Sequence, residues 1–166
     1  MGAPILNDES KVRKTIITQR EDATGGAQWL DLEPLADVSV TSEDSAHPIE
    51  SALLPGRGSG WRAAAAGKQT IRLLFTRPQR LKWIRLRFDE PHAERTQEYV
   101  LRWSADDGQS YREIVRQQWN FSPSGTTSEV EDHRVDLPAV TTLELSIVPN
   151  TSGGDAVASL AELRLA

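Results

Sequence analysis

Along much of the chain, apolar and polar residues alternate one for one. In QTIRLLFT, Ile71, Leu73 and Phe75 fall on one side and Arg72 on the other. WIRLRF repeats the pattern with Ile84, Leu86 and Phe88 against Arg85 and Arg87, and YVLRW does so with Tyr99, Leu101 and Trp103 against Arg102. A repeat of two is that of a strand with one dry face and one wet face. LELSI sets Leu143, Leu145 and Ile147 opposite Glu144 and Ser146, and SLAELRLA closes the chain with Leu160, Leu163 and Leu165. Shorter runs predict strands at Lys14–Gln19, Trp29–Leu32, Asp37–Thr41 and Glu129–Leu137.

Turn formers separate these runs: ATGG, PGRGSG, TRPQ, DEPH, ADDGQ, SPSG, LPAV and PNTSGG. Asp107-Gly108 predicts the positive-φ turn of a tight hairpin joining the Tyr99 strand to one led by Tyr111. HPIESALL predicts a turn or two of helix, and no long amphipathic helix is present. Strands spaced in this way, each with one apolar face, predict an all-β antiparallel sandwich of two sheets around one core. The length of 166 residues suits one domain. The less patterned residues 1–25 read as an N-terminal extension and 26–166 as the sandwich.

Composition narrows the function. Hydrophobic residues at 38% and charged residues at 26% predict a soluble globular chain. Without cysteine, disulfides, thiolate metal sites and cysteine nucleophiles are excluded. A net charge of -5 argues against a nucleic-acid binder, whose phosphate contacts need a basic face. No window is apolar enough to span a membrane, and the N-terminus lacks a signal-like stretch, so the expected location is the cytoplasm. Arg72, Arg85, Arg87 and Arg102 form a candidate anion or partner face if their strands are neighbours. Pairing with Glu98, Glu113 or Glu144 would cancel it.

No catalytic constellation is legible. His47, His92 and His133 are far apart, neither HExxH nor GxSxG occurs, and PGRGSGWR lacks the lysine-serine pair and following helix of a phosphate loop. That loop reads as a turn with Trp61 packed beneath it. The expectation is a non-catalytic protein.

Four ordered stretches carry a family resemblance: VSVTSEDSAHPIESALLPGRGSGWR, QTIRLLFTRPQRLKWIRLRF, EYVLRWSADDGQSYREI and SLAELRLA. Together, across about residues 37 to 166, they resemble the discoidin-type domains, also called coagulation factor five/eight type C domains. The resemblance implies a galactose-binding-like jelly roll that binds rather than catalyses, as in bacterial carbohydrate-binding modules. It also implies a ligand site on loops at one end, often with a histidine, an arginine, an asparagine and an aromatic. Relatives often hold a structural calcium through an acidic loop and a C-terminal glutamate. Here that glutamate is Glu162, but the loop reads LLPGRGSGW with Arg57 in place of acids, and calcium prefers several oxygens. No other cofactor is implied.

A sugar needs an aromatic face for the C–H surface of its ring and fixed hydrogen-bond donors and acceptors, usually few and on loops, for its hydroxyls. DEPHAERTQEY offers His92, Glu94, Arg95 and Gln97, and QQWNFSPSGTTSE offers Trp119, Asn120 and Phe121. The alternative for Trp119 and Phe121 is that they cover the open end of the core. The expected function is carbohydrate binding through these loops. The alternative is a protein-interaction or adaptor domain in a bacterial cytoplasmic assembly, using the same loops or the arginine face.

Overall fold

The long alternating runs of the described residues form strands, and their apolar side is the buried one. The computed structural model describes residues 29–166. The strand expected at Lys14–Gln19 and the extension at 1–25 lie outside the described residues. Within them run β1 (Ala36–Val40), α1 (Glu50–Leu53), β2 (Trp61–Ala66), β3 (Gln69–Asp89), β4 (Arg95–Ser104), β5 (Arg112–Phe121), β6 (Ser128–Val148), β7 (Val157–Leu160) and β8 (Glu162–Leu165). The strands are antiparallel. One path runs β1-β3-β6-β4-β5, β8 adds to β3, and β2 pairs with β7.

Two long strands turn this path into two layers. The first half of β3 pairs with β1 and the second half of β6, as in Leu73↔Leu143; the second half of β3 pairs with β8 and the first half of β6, as in Leu86↔Glu131. TRPQ and LPAV read as turns, but the strands run through both. The β3–β6 register shifts between Leu74 and Trp83, around Pro78 and Pro138. Proline has no N–H for a ladder, so it sits where the pairing is irregular and the strand changes sheet without ending.

The layers meet through the predicted inward residues. Ile71, Leu73, Ile84, Leu86, Phe88, Tyr99, Leu101, Leu143, Leu145 and Ile147 are each at most 1% exposed. The Phe88 and Tyr99 rings, from different layers, lie 5.2 Å apart. Each such side chain contributes about 1.5–3 kcal/mol by leaving water.

Three local expectations change. SLAELRLA is two strands, β7 and β8, because Leu160 and Leu163 are three apart and an unbroken strand cannot bury both. The break at Ala161, whose N–H donates to the Arg87 carbonyl at 2.9 Å, lets Leu160 face β2 and Leu163 face β3. Trp29–Leu32 is not a strand; Leu30 N–H donates once to the Leu165 carbonyl, at 2.7 Å, and Leu32 enters the core. The Asp107-Gly108 turn has the expected positive φ, 59° and 86°, but within a wider loop. Ser104 Oγ accepts from the amides of Asp106 and Gly108, and Asp106 accepts from the amide and hydroxyl of Ser110, at 2.5–3.1 Å. These bonds stabilise a loop longer than two residues. The helix expected in HPIESALL is α1. Among the described residues, no helix is long and apolar enough to cross a membrane.

Candidate functional site

Where β3 leaves the sandwich and β4 re-enters it, the chain surrounds an open cavity of about 770 Å³. Its walls are the β3–β4 loop, the start of β2, the β6–β7 loop and the β7–β8 junction. Trp61 is buried at its base, 1% exposed, with Nε1 donating to the Ser42 carbonyl at 3.2 Å. Gly60 makes this seat: a Cβ there would stand 2.5 Å from the Leu160 carbonyl oxygen, and its φ of 101° disfavours other residues.

The β3–β4 loop is shaped by Glu90 and Arg95. The Glu90 carboxylate accepts from the amides of His92 (3.1 Å) and Ala93 (2.9 Å) and from Arg95 Nη2 (3.1 Å). Burial opposes its ionisation, but these donors outweigh it and hold the Glu90 pKa below the usual carboxylate range. Arg95 is 6% exposed, donates from Nη1 to the Pro149 carbonyl at 2.7 Å, and lies over the Phe121 ring at 5.5 Å. Arg95 thus ties the β3–β4 loop to the β6–β7 loop.

Other side chains are left for a ligand. Those of Arg62, His92, Glu94 and Asp155 line the cavity, are exposed, and make no hydrogen bond or ion pair among the described residues. Of the Asn150 side chain, only Oδ1 is engaged among the described residues, accepting from the Ser152 amide at 3.1 Å. His47 completes the rim, with Nδ1 3.4 Å from Asp44 Oδ2. A shallower depression of about 400 Å³ continues past Glu94 and Asn150 to Asn120. There the Thr96 hydroxyl donates to Asn120 Oδ1 at 2.6 Å.

The fold brings His92, Glu94, Arg95 and Asn120 to one end of the sandwich. Phe121 is there too but is 0% exposed, so its ring faces the core. Trp119 and Gln97 also point inward; Trp119 packs against the core, and its buried Nε1 has no hydrogen-bond partner among the described residues. The sequence reading did not select His47, Arg62, Asn150 or Asp155 as ligand residues. His47 and Arg62 lay inside motifs read for their fold, and Asn150 and Asp155 in and beside a segment read as a turn.

The arginines do not share one face. Arg72 and Arg102 stand outside the β3–β6–β4 layer, whereas Arg85 and Arg87 belong to the other layer, because β3 changes sheet between them. All four are charge-paired. Arg72 and Arg102 hold Glu144, Arg85 holds Asp132 at 2.7 Å, and Arg87 holds Asp89 at 2.6 Å. Glu162 lies 3.5 Å from Arg87 and 3.2 Å from Arg164. Two guanidinium groups thus face the Glu162 carboxylate, and among the described residues no group of three or more histidine or acidic side chains is placed to hold a metal ion.

No protein-family model matches the chain, and no curated protein sequence does. Solved structures do. A family 32 carbohydrate-binding module from Clostridium perfringens, in complex with GalNAc-β-1,3-galactose, superposes with a TM-score of 0.61 at 19% identity, covering 82% of this chain and 98% of that one. A second Clostridium perfringens module, from a family 31 glycoside hydrolase, gives 0.60 at 18% identity over 82% and 93%. The module of AlyQ, in complex with 4,5-unsaturated mannuronic acid, gives 0.59 at 15% over 80% and 95%. With its layers, register and core in place, the chain shares the β-sandwich fold of these family 32 carbohydrate-binding modules.

Proposed function

We propose that this protein is a non-catalytic carbohydrate-binding module whose ligand occupies the end cavity. The observation that carries this reading is the set of polar side chains Arg62, His92, Glu94 and Asp155, unpaired among the described residues, around one open concavity of about 770 Å³. Few, fixed polar groups around a preformed hollow suit a sugar's hydroxyls. Glu90 and Arg95 hold the walls, and the depression at Asn120 extends the site for a second sugar unit. The sugar-binding neighbours in fold support the reading. Four carboxylates against two guanidinium groups in the cavity favour a neutral or amino sugar over an acidic one.

The test is a thermal-shift and calorimetric screen of the full chain against neutral and amino sugars. A ligand at a hundred times its Kd adds about 2.7 kcal/mol of stability. Arg62→Ala and Glu94→Gln should each abolish the response of any sugar that shifts the wild type. No response to any sugar at millimolar concentration overturns the reading.

A further inference from the structure

A second concavity, of about 310 Å³, lies outside the β3–β6–β4–β5 layer, away from the end cavity. Its centre is Glu144, 2% exposed, held between two arginines. Arg72 Nε donates to one carboxylate oxygen at 2.8 Å, and Arg102 Nε donates to the other at 2.9 Å. Burial works against ionisation of Glu144, and the arginine hydrogen bonds outweigh it, so its pKa stays below the usual range. One carboxylate thereby positions two cations. The Tyr111 ring, 4.4 Å from the Arg102 guanidinium, braces one of them.

The pairing leaves binding capacity over. Neither Nη atom of Arg72 makes a hydrogen bond among the described residues, and its side chain is 50% exposed. Lys68, at the rim, is exposed and makes no ion pair among them. With Arg116, four cations line the groove against the carboxylates of Glu98 and Glu144. The end cavity has the opposite balance, so the molecule offers two hollows of opposite sign.

The remaining lining has the other parts of a sugar site. Val100 and Val148 give a half-buried apolar floor for a ring's C–H face. The hydroxyls of Thr70 and Ser146, 3.3 Å apart, stand beside Arg72. The volume is near the lower limit for ligand pockets and suits one ring.

We propose that this groove is a second binding site, for a sugar residue bearing an anionic group that Arg72 and Lys68 receive. The sugar part of this assignment rests on the carbohydrate-binding reading; the anion part rests on Arg72, Arg102 and Lys68 alone. Arginines pre-positioned by a buried carboxylate lose little freedom when they meet a second anion.

The test is titration of the isotopically labelled full chain with trigalacturonate, and with the same trimer fully methyl-esterified, followed by amide NMR. The acid should shift the amides of 70–72, 100–102 and 144–146, and the ester should leave them unmoved. Lys68→Gln and Arg72→Gln should each weaken the acid about ten-fold, and Arg77→Gln, exposed and outside both hollows, should not. Both variants keep the Arg102–Glu144 pair, so the fold is spared. Shifts confined to the end cavity, equal binding of ester and acid, or no shift at all overturn the proposal. The first of these outcomes upholds the end-cavity reading, and groove shifts in a protein that binds no neutral sugar uphold the groove alone.

Discussion

The Tyr99 hydroxyl lies 2.8 Å from Nε2 of His133, joining the inner face of β4 to that of β6 across the two layers. The tyrosine is buried and the histidine half-buried. Burial pushes the tyrosine pKa upward and holds that of the histidine below its usual range. Tyr99→Phe leaves the imidazole nitrogen without this partner and should cost about 1–3 kcal/mol, the range for orphaning a buried polar group. Chemical denaturation reads the loss. A double cycle with His133→Leu should return most of it as coupling between the two sites.

Beside this pair, Glu129 is 3% exposed, and its carboxylate oxygens make no hydrogen bond among the described residues. Burial, with Glu131 alongside, pushes its pKa up to about 8 from an ordinary 4.5. The folded state therefore holds a proton that the unfolded chain releases earlier. The sign follows: stability from this group is full below about pH 4.5 and is lost as pH rises through 8. The melting temperature should fall across that window, and Glu129→Gln should flatten the fall. An unchanged slope in the variant would remove Glu129 as its source.

The Glu90–Arg95 pair, 3.1 Å apart, has side chains 16% and 3% exposed. Removing one partner from a buried pair leaves an uncompensated charge, which typically costs about 3–5 kcal/mol. Glu90→Ala should lose stability on that scale and release the amides of His92 and Ala93. Sugar binding at the end cavity should weaken with it, through loosened walls. Calorimetry on samples confirmed as folded separates this from unfolding.

Trp61 and Arg62 are adjacent in sequence and opposite in role, since β2 turns one inward and one outward. Trp61→Ala should cost about 3–5 kcal/mol as a large core truncation. Arg62→Ala, at an exposed position whose side chain makes no hydrogen bond or ion pair among the described residues, should stay within about 0.5 kcal/mol. Urea denaturation of the two variants should show this split.

By itself, the sequence determined which side of each strand is dry. The alternation through Ile71, Ile84, Tyr99 and Leu143 is local, because successive side chains in a strand point to opposite faces whatever the partner. The ordered motifs also carried the fold, and the Asp107-Gly108 backbone followed from residue type. Tertiary structure alone decided which strands are neighbours. Pro78 and Pro138 read as turn formers, yet β3 and β6 pass through them from one layer to the other, so Arg72 and Arg85 part company. The site divided along the same line. His92 and Glu94 were legible as loop residues, but their convergence with Arg62 and Asp155 joins segments up to 93 residues apart. The burial of Arg95 and Phe121 depends on contacts across that junction, and the two arginines on Glu144 depend on which strands pair. Such contacts are set by packing between distant segments, and no local periodicity encodes them.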